Sequence, residues 1–452
     1  MIVSTPVAEN RAWKALGALS VGLFLTLLDQ SLVAVALPRI QEDLNASLNQ
    51  AVWVSAVYLL TFAVPLLITG RLGDRFGQRN VYLAGMILFT AAALACAFAP
   101  TIELLILARA IQGLGGSLLN PQPLSIIHRI FAHDRRGAAT GVWSAVASSA
   151  GLFGPVIGGV LVGWISWRAV FWVYVPLGII SILMVARYVP KLPTGTAKID
   201  LLSGFVSLVA VLGLVVALQQ GPELGWSLWI WISLLVGIAA AALFVWMQGH
   251  SHAPLMPLRL FETRNFSIGA FAVFSLGFTV YSVNLPIMLY LQTAQGLSSQ
   301  VAGLFLVPMG VISVIMSPLI GRVVDKVAPG TISKLGFGSL ILSMALFAVM
   351  MFQDTSPGWL LIPVVFFGIA TAMSFAPNSA IALRDVTADL VGSASGFYNT
   401  SRQVGAVLGA AALGAVMQMG VGTVSFEVAM ALAISVTLLP LICGFLAVSQ
   451  FK

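Results

Sequence analysis

The sequence is short of charge: Asp, Glu, Lys and Arg supply 8% of 452 residues, about a third of their share in a soluble globular chain. That shortage excludes a water-soluble domain of this size. In its place stand 59% hydrophobic residues and a mean hydropathy of +1.01. Cysteine is nearly absent. Cys96 and Cys443 both lie in apolar runs, so no structural disulfide is expected and both read as small buried hydrophobes. The four histidines, His128, His133, His250 and His252, fall in connections. No intramembrane cluster of His, Cys and acid is left to hold a metal, which argues against a membrane metalloenzyme; no enzyme activity and no cofactor are expected.

What is present is a succession of apolar runs. At about 20 residues per crossing, fourteen candidate spans fit: 13–37, 51–70, 81–99, 102–127, 138–162, 167–188, 200–219, 226–247, 267–291, 301–321, 332–352, 357–381, 392–419 and 425–448. The fold class is an all-α polytopic membrane protein. Short connections edged by Pro, Gly or Asn place any activity inside the bundle. The first run lacks a small-residue cleavage pattern and carries Asp29, so it reads as a retained span. With the N-terminus in the cytoplasm, eighteen of the twenty-two Lys and Arg fall on the cytoplasmic side; Arg39 and Arg168 fall outside, and Arg109 and Arg402 lie within spans. Both termini are then cytoplasmic, in a cell membrane. The net charge of +7 reflects this asymmetry and gives no reason to invoke nucleic acid.

The chain also repeats itself. "GAATGVWSAVASSAGLFG" from Gly137 returns 255 residues later as "GSASGFYNTSRQVGAVLG" from Gly392, and "GRLGDRFGQR" from Gly70 has a weaker echo, "GRVVDKVAPG", in which Asp325 answers to Asp74. Two six-span halves, 1–198 and 250–452, follow, with an inserted hairpin at 199–249 that is expected to be peripheral. Such halves, with a site near the midplane between them, are the architecture of secondary transporters.

Two buried charges suggest the coupling chemistry. Asp29 lies eight residues before Leu37 and Arg109 eight after Thr101, so at ~1.5 Å per residue both are ~12 Å below the outer surface and can pair. Gln112 shares the face of Arg109. Burial favours the neutral acid and a nearby cation favours the carboxylate, so alternating exposure would let Asp29 take and release a proton. A permanent salt bridge between two spans is the alternative. Arg402, with Gln403 beside it and Asn399 three residues before, has no intramembrane acid; it either ties helices through carbonyls or meets an anionic or polar substrate group. Trp53, Tyr58, Trp143, Phe153, Tyr281, Phe375 and Tyr398 stand at plausible cavity depth, where they pack or stack on lipophilic or cationic ligands.

The motifs taken together resemble the major facilitator superfamily, specifically its fourteen-span drug:proton antiporter branch, over nearly the whole chain. They are "LDQSLVAVALP" (28–38), "GRLGDRFGQRNV" (70–81), "LARAIQGLGGS" (107–117), "GLFGPVIGG" (151–159), "WRAVFWVYVPLG" (167–178) and "YNTSRQVGAVLG" (398–409). In the 70–81 loop, Gly70 and Gly77 would allow a tight reversal, Asp74 could face a helix N-terminus, and Arg71, Arg75 and Arg79 could form switchable salt bridges. The resemblance implies a cytoplasmic latch there. Gly154, Pro155, Gly158 and Gly159 make a face able to pack closely and bend; it resembles the antiporter signature, with Ala145 where a glycine is common. The resemblance implies a monomeric, proton-coupled exporter of amphiphilic molecules, working in the lipid bilayer by alternating access. An exporter or flippase for an endogenous lipid or metabolite, and an uptake symporter, are the rival readings.

Overall fold

The computed structural model describes residues 8–132, 135–194, 200–251, 254–324, 329–387 and 390–451. His133, Lys198, His252, Asp325, Lys326 and Lys452, and the expected boundary at 198–199, lie outside them.

The first half opens with α1 (Glu9–Asp43), then α2 (Leu48–Ala63) and α3 (Leu66–Phe76), α4 (Gln78–Ala97), α5 (Ile102–Leu119), α6 (Gln122–Ile130), α7 (Arg136–Trp164), α8 (Trp167–Trp172) and α9 (Tyr174–Tyr188). The hairpin is α10 (Leu201–Gln220) and α11 (Leu228–His250). After it come α12 (Arg264–Val280), α13 (Asn284–Leu289), α14 (Ser299–Phe305), α15 (Val307–Val324) and α16 (Pro329–Phe352). The chain closes with α17 (Leu361–Arg384), α18 (Val391–Gly420), α19 (Phe426–Val436) and α20 (Leu438–Val448).

Proline decides where a span is cut in two. A proline has no N–H to donate and its ring collides with the carbonyl four residues earlier. Pro65 sits between α2 and α3, and Pro121 between α5 and α6; Pro176, Pro286, Pro308 and Pro440 each follow shortly after a break. The bend between the second span's two parts is 51°. Among the described residues twelve helical segments are long and apolar enough to cross a membrane, or thirteen if this bent pair is one span. The expected run at 138–162 coincides with the 29-residue α7. The fourteen spans expected are therefore not reached among the described residues.

Packing follows the internal repeat. α7 lies along α1 as α18 lies along α12, and each crosses to the other half, α7 onto α14 and α15, α18 onto α2. The bundle has a basic end, which carries Arg71, Arg75, Arg129 and Arg187, and a far end, which carries Ser47, Thr101 and Gly221.

The hairpin departs from expectation. Only α11 is peripheral: it packs on α10 and leaves Leu228, Trp229, Leu235 and Trp246 exposed. Trp229 and Trp246 are seventeen residues apart, about 25 Å at 1.5 Å per residue, which suits tryptophans at the two interfaces of a bilayer. By contrast α10 packs on α2 and α18, and its Gln219 is fully buried. A polar residue there needs a partner, and Gln219 Nε2 donates to Asn49 Oδ1 at 3.0 Å. Cys443 also differs, being exposed on the bundle surface, whereas Cys96 is buried.

Candidate functional site

Asp29 is carried by α1 and Arg109 by α5, and neither has more than 1% of its surface exposed. They meet as an ion pair with Arg109 Nη1 2.7 Å from Asp29 Oδ1. Nη1 also donates to Gln112 Oε1 at 2.8 Å and Nε to the Val54 carbonyl at 3.1 Å. The guanidinium carbon lies 4.2 Å from the centre of the Tyr58 ring and 5.8 Å from that of Phe171, close enough for a cation–π attraction strengthened by burial. Gln112 Nε2 returns to Asp29 Oδ1 at 3.4 Å, and Cys96 Sγ donates to Gln112 Oε1 at 3.7 Å. Asp29 Oδ2 makes no hydrogen bond of ordinary length among the described residues, but the buried Tyr174 hydroxyl lies close enough to interact with the carboxylate.

Asp29 and Arg109 line a cavity shared by both halves. Gln30, Ser55 and Tyr58 complete its first-half wall, and Tyr281, Ser282 and Asn284 face them. Its volume, counted as space open to water centres, is about 30 Å³, room for two or three waters at ~10–15 Å³ each. A small-molecule site needs about 300–1,000 Å³, so a substrate requires this space to widen.

The second half supplies Arg402, half-buried on α18. Its Nη1 donates to Tyr281 Oη and its Nη2 to Asn399 Oδ1, both at 3.2 Å, and Nε is unpartnered among the described residues. Phase by phase along the expected aromatics, the placements diverge. Tyr58 and Tyr281 line the cavity. Phe375 packs 6.4 Å from the Tyr281 ring, and Tyr398, buried, accepts from Asn378 Nδ2 at 2.8 Å. Gln403 is buried outside the cavity wall. Trp143 packs against the core, and Phe153 is exposed with its edge to Phe24. Trp53 opens into a different pocket. Gln30, Ser55, Ser282, Asn284 and Cys96 were missed; polar residues inside apolar runs are the signal that could have found them.

The 70–81 segment differs from the expected loop. Gly70, Arg71, Asp74 and Arg75 are helical in α3, and the reversal is made by Gly77 alone, at φ 90°, where a side chain would be strained. Asp74 Oδ1 accepts from Gln78 Nε2 at 3.1 Å and lies 3.8 Å from Arg129 Nη2. Arg71 donates to the Pro254 carbonyl and is close enough to Asp74 to interact with its charge, Arg79 donates to the carbonyl of Ala186, and Arg75 lies over Phe76. Near Arg71, burial pushes the Asp200 carboxyl up, but the donors of Ser203 and the charge of Arg71 outweigh it and leave it below its usual value.

The glycine face is divided between two neighbours. A Cβ on Gly154 would strike Ser31 of α1, and one on Gly158 would come 3.2 Å from Val35 Cβ. A Cβ on Gly159 would come 2.8 Å from the Ser299 carbonyl oxygen, and one on Gly303 would strike the carbonyl of Pro155. One side therefore packs within its own half and the other against the opposite half. Further contacts between the halves lie beyond the cavity toward the far end: Gln292 Nε2 to the Val35 carbonyl at 3.2 Å, and Gln418 Nε2 to Asn49 Oδ1 at 3.2 Å.

Among the described residues no three His, Cys, Asp or Glu side chains are close enough to bind a metal. The sequence profile of the Major Facilitator Superfamily matches residues 19–410. The chain belongs to this superfamily. It is 38% identical over 406 residues to an uncharacterized MFS-type transporter, Rv1250, of Mycobacterium tuberculosis, covering 90% of this chain and 70% of that one. It is 31% identical over 434 residues to the tetracenomycin C resistance and export protein of Streptomyces glaucescens, covering 94% and 79%. Relatives at 30–38% identity include multidrug and antibiotic resistance transporters of the superfamily. The fold is that of a D-xylose–proton symporter of known structure, with a TM-score of 0.71, 15% identity and 97% of each chain covered. A member of the superfamily is a transporter and not an enzyme.

Proposed function

We propose that this protein is a proton-coupled antiporter that exports amphiphilic small molecules by alternating access, in the fourteen-span drug:proton antiporter branch. In this reading α7 is the fourteenth span, residues 1–198 and 250–452 are the moving halves, and 199–249 is an insertion. The protein works as a monomer in the cell membrane, with its basic end and both termini in the cytoplasm.

The observation that carries the reading is the buried Asp29–Arg109 pair, set in the wall of a cavity that both halves share. A carboxylate so placed can accept a proton when that cavity opens. Tyr281 faces it from the other half, and Arg402, hydrogen-bonded to Tyr281 and Asn399, would supply the polar end of a substrate site once the cavity widens, with the nearby aromatics giving lipophilic contact. The glycines of α7 allow the halves to close, and the 70–81 segment with Asp74 acts as the switch on the cytoplasmic side. Outward direction is supported by the export and resistance functions named for its relatives.

The test uses purified protein in liposomes that enclose a pH-sensitive dye. With a candidate amphiphile on one side, antiport requires that adding it move protons the opposite way, and that an imposed pH gradient drive its accumulation. Accumulation with protons moving in the same direction would make the protein a symporter.

A further inference from the structure

Tyr174 opens α9, just after the break in the span Trp167–Tyr188, and its side chain is fully buried. Pro176 accounts for the break, since it has no N–H to offer the carbonyl of Trp172. Two rings hold the tyrosine in place, Phe89 of α4 at 5.8 Å and Phe171 of α8 at 6.4 Å, both edge to face. Phe171 is also one of the two rings beside the Arg109 guanidinium. Tyr174 thus reaches the ion pair without joining the cavity wall.

Two buried polar atoms are left over at this place. Neither Asp29 Oδ2 nor Tyr174 Oη makes a hydrogen bond of ordinary length among the described residues, yet the hydroxyl lies within reach of the carboxylate. Buried polar atoms without partners are costly and uncommon. Each is the partner the other lacks: a carboxylate only accepts, and a phenol keeps its proton through the physiological range and can donate it. The second carboxylate oxygen, Oδ1, is already held by Arg109 and Gln112.

The other ionisable groups near Asp29 are committed. Tyr58 of α2 donates to the Thr26 carbonyl, Cys96 of α4 donates to Gln112, and Tyr281, across the cavity, accepts from Arg402. Of the remaining helices against α1, α13 and α14 carry no ionisable residue, and α7 has only Arg136, at its first position. His128 and Arg129 lie in the last turn of α6, and Arg168 of α8 is engaged by Asp43.

We propose that Tyr174 is the positioning residue of the proton-coupling acid: its hydroxyl donates to Asp29 Oδ2 while the carboxylate is charged and so sets the pH at which Asp29 takes up a proton. The inference rests on the reading of Asp29 as the proton carrier. A hydrogen bond to the ionised form favours that form, so without the hydroxyl the acid should hold its proton to higher pH.

The test is an infrared pH titration of the purified full chain in lipid, which needs no substrate. The carbonyl band of protonated Asp29 is identified as the one that Asp29→Asn loses. In Tyr174→Phe the ring stays against Phe89 and Phe171, so the fold is kept, and the midpoint of that band should rise by roughly one pH unit. Tyr82→Phe removes another fully buried hydroxyl, one that meets α9 through Ser181 Oγ at 3.3 Å, and should leave the midpoint where it is in wild type. A midpoint that does not rise in Tyr174→Phe, or that rises equally in Tyr82→Phe, would overturn the role of Tyr174 and leave Asp29 as the carrier. If Asp29→Asn loses no band over the pH range in which the protein transports, the carrier reading itself fails, and this inference with it.

Discussion

Arg109 is the residue on which the centre depends, since removing either member of a buried ion pair leaves the other uncompensated, at a cost of about 3–5 kcal/mol. Depth along two helices was enough to pair it with Asp29 from sequence. The ring beneath it was not legible, because a cation–π contact depends on how α2 is rotated. Tyr58→Phe keeps that ring and gives up only a 3.4 Å hydrogen bond to the Thr26 carbonyl. It should therefore unfold within about 1 kcal/mol of wild type, whereas Tyr58→Leu should lose roughly 2 kcal/mol or more through both the cation–π contact and the space left behind. Thermal unfolding in one detergent compares the two, and equal destabilisation would remove the ring's claimed role.

Helices are where sequence and structure diverged in instructive ways. Hydropathy located the spans because burial in lipid is an additive property of about 20 residues, and prolines explain why several of them break. The 70–81 segment looked like a loop because it is charged, yet charge at a membrane surface does not unwind a helix, and only Gly77 requires a special backbone. The hairpin looked peripheral because it lies outside the repeat; its buried amide Gln219 finds Asn49 across 170 residues of chain, a distance no local pattern encodes. Asn49 also receives Gln418, so it joins α2, α10 and α18. Asn49→Ala should leave these amides unpaired, cost about 1–3 kcal/mol, and loosen the far end. Labelling of a Ser282→Cys variant by a membrane-impermeant maleimide should then be faster; an unchanged rate would show that Asn49 does not hold that end shut. Gly159→Leu tests the other seam. A side chain driven toward the Ser299 carbonyl should keep α7 and α14 apart and lower transport in a stably inserted protein, while Gly338→Ala, with nothing within 4 Å of its Cβ, should not.

At the level of the whole molecule, the halves touch through α1 with α13 and the segment after it, α2 with α18, and α7 with α14, and the water-sized cavity lined by Asp29 lies among these contacts. In the proposed antiport cycle, a proton on Asp29 and a bound substrate alternate. The most direct measurement is therefore a comparison of wild type and Asp29→Asn in liposomes of defined internal and external pH, with insertion verified for each. Asn keeps the shape of the side chain and cannot carry the proton. Asp29→Asn should retain exchange of substrate down its own gradient and lose accumulation driven by the pH gradient; full proton-driven accumulation by this variant would contradict the account and leave Asp29 and Arg109 as a structural salt bridge.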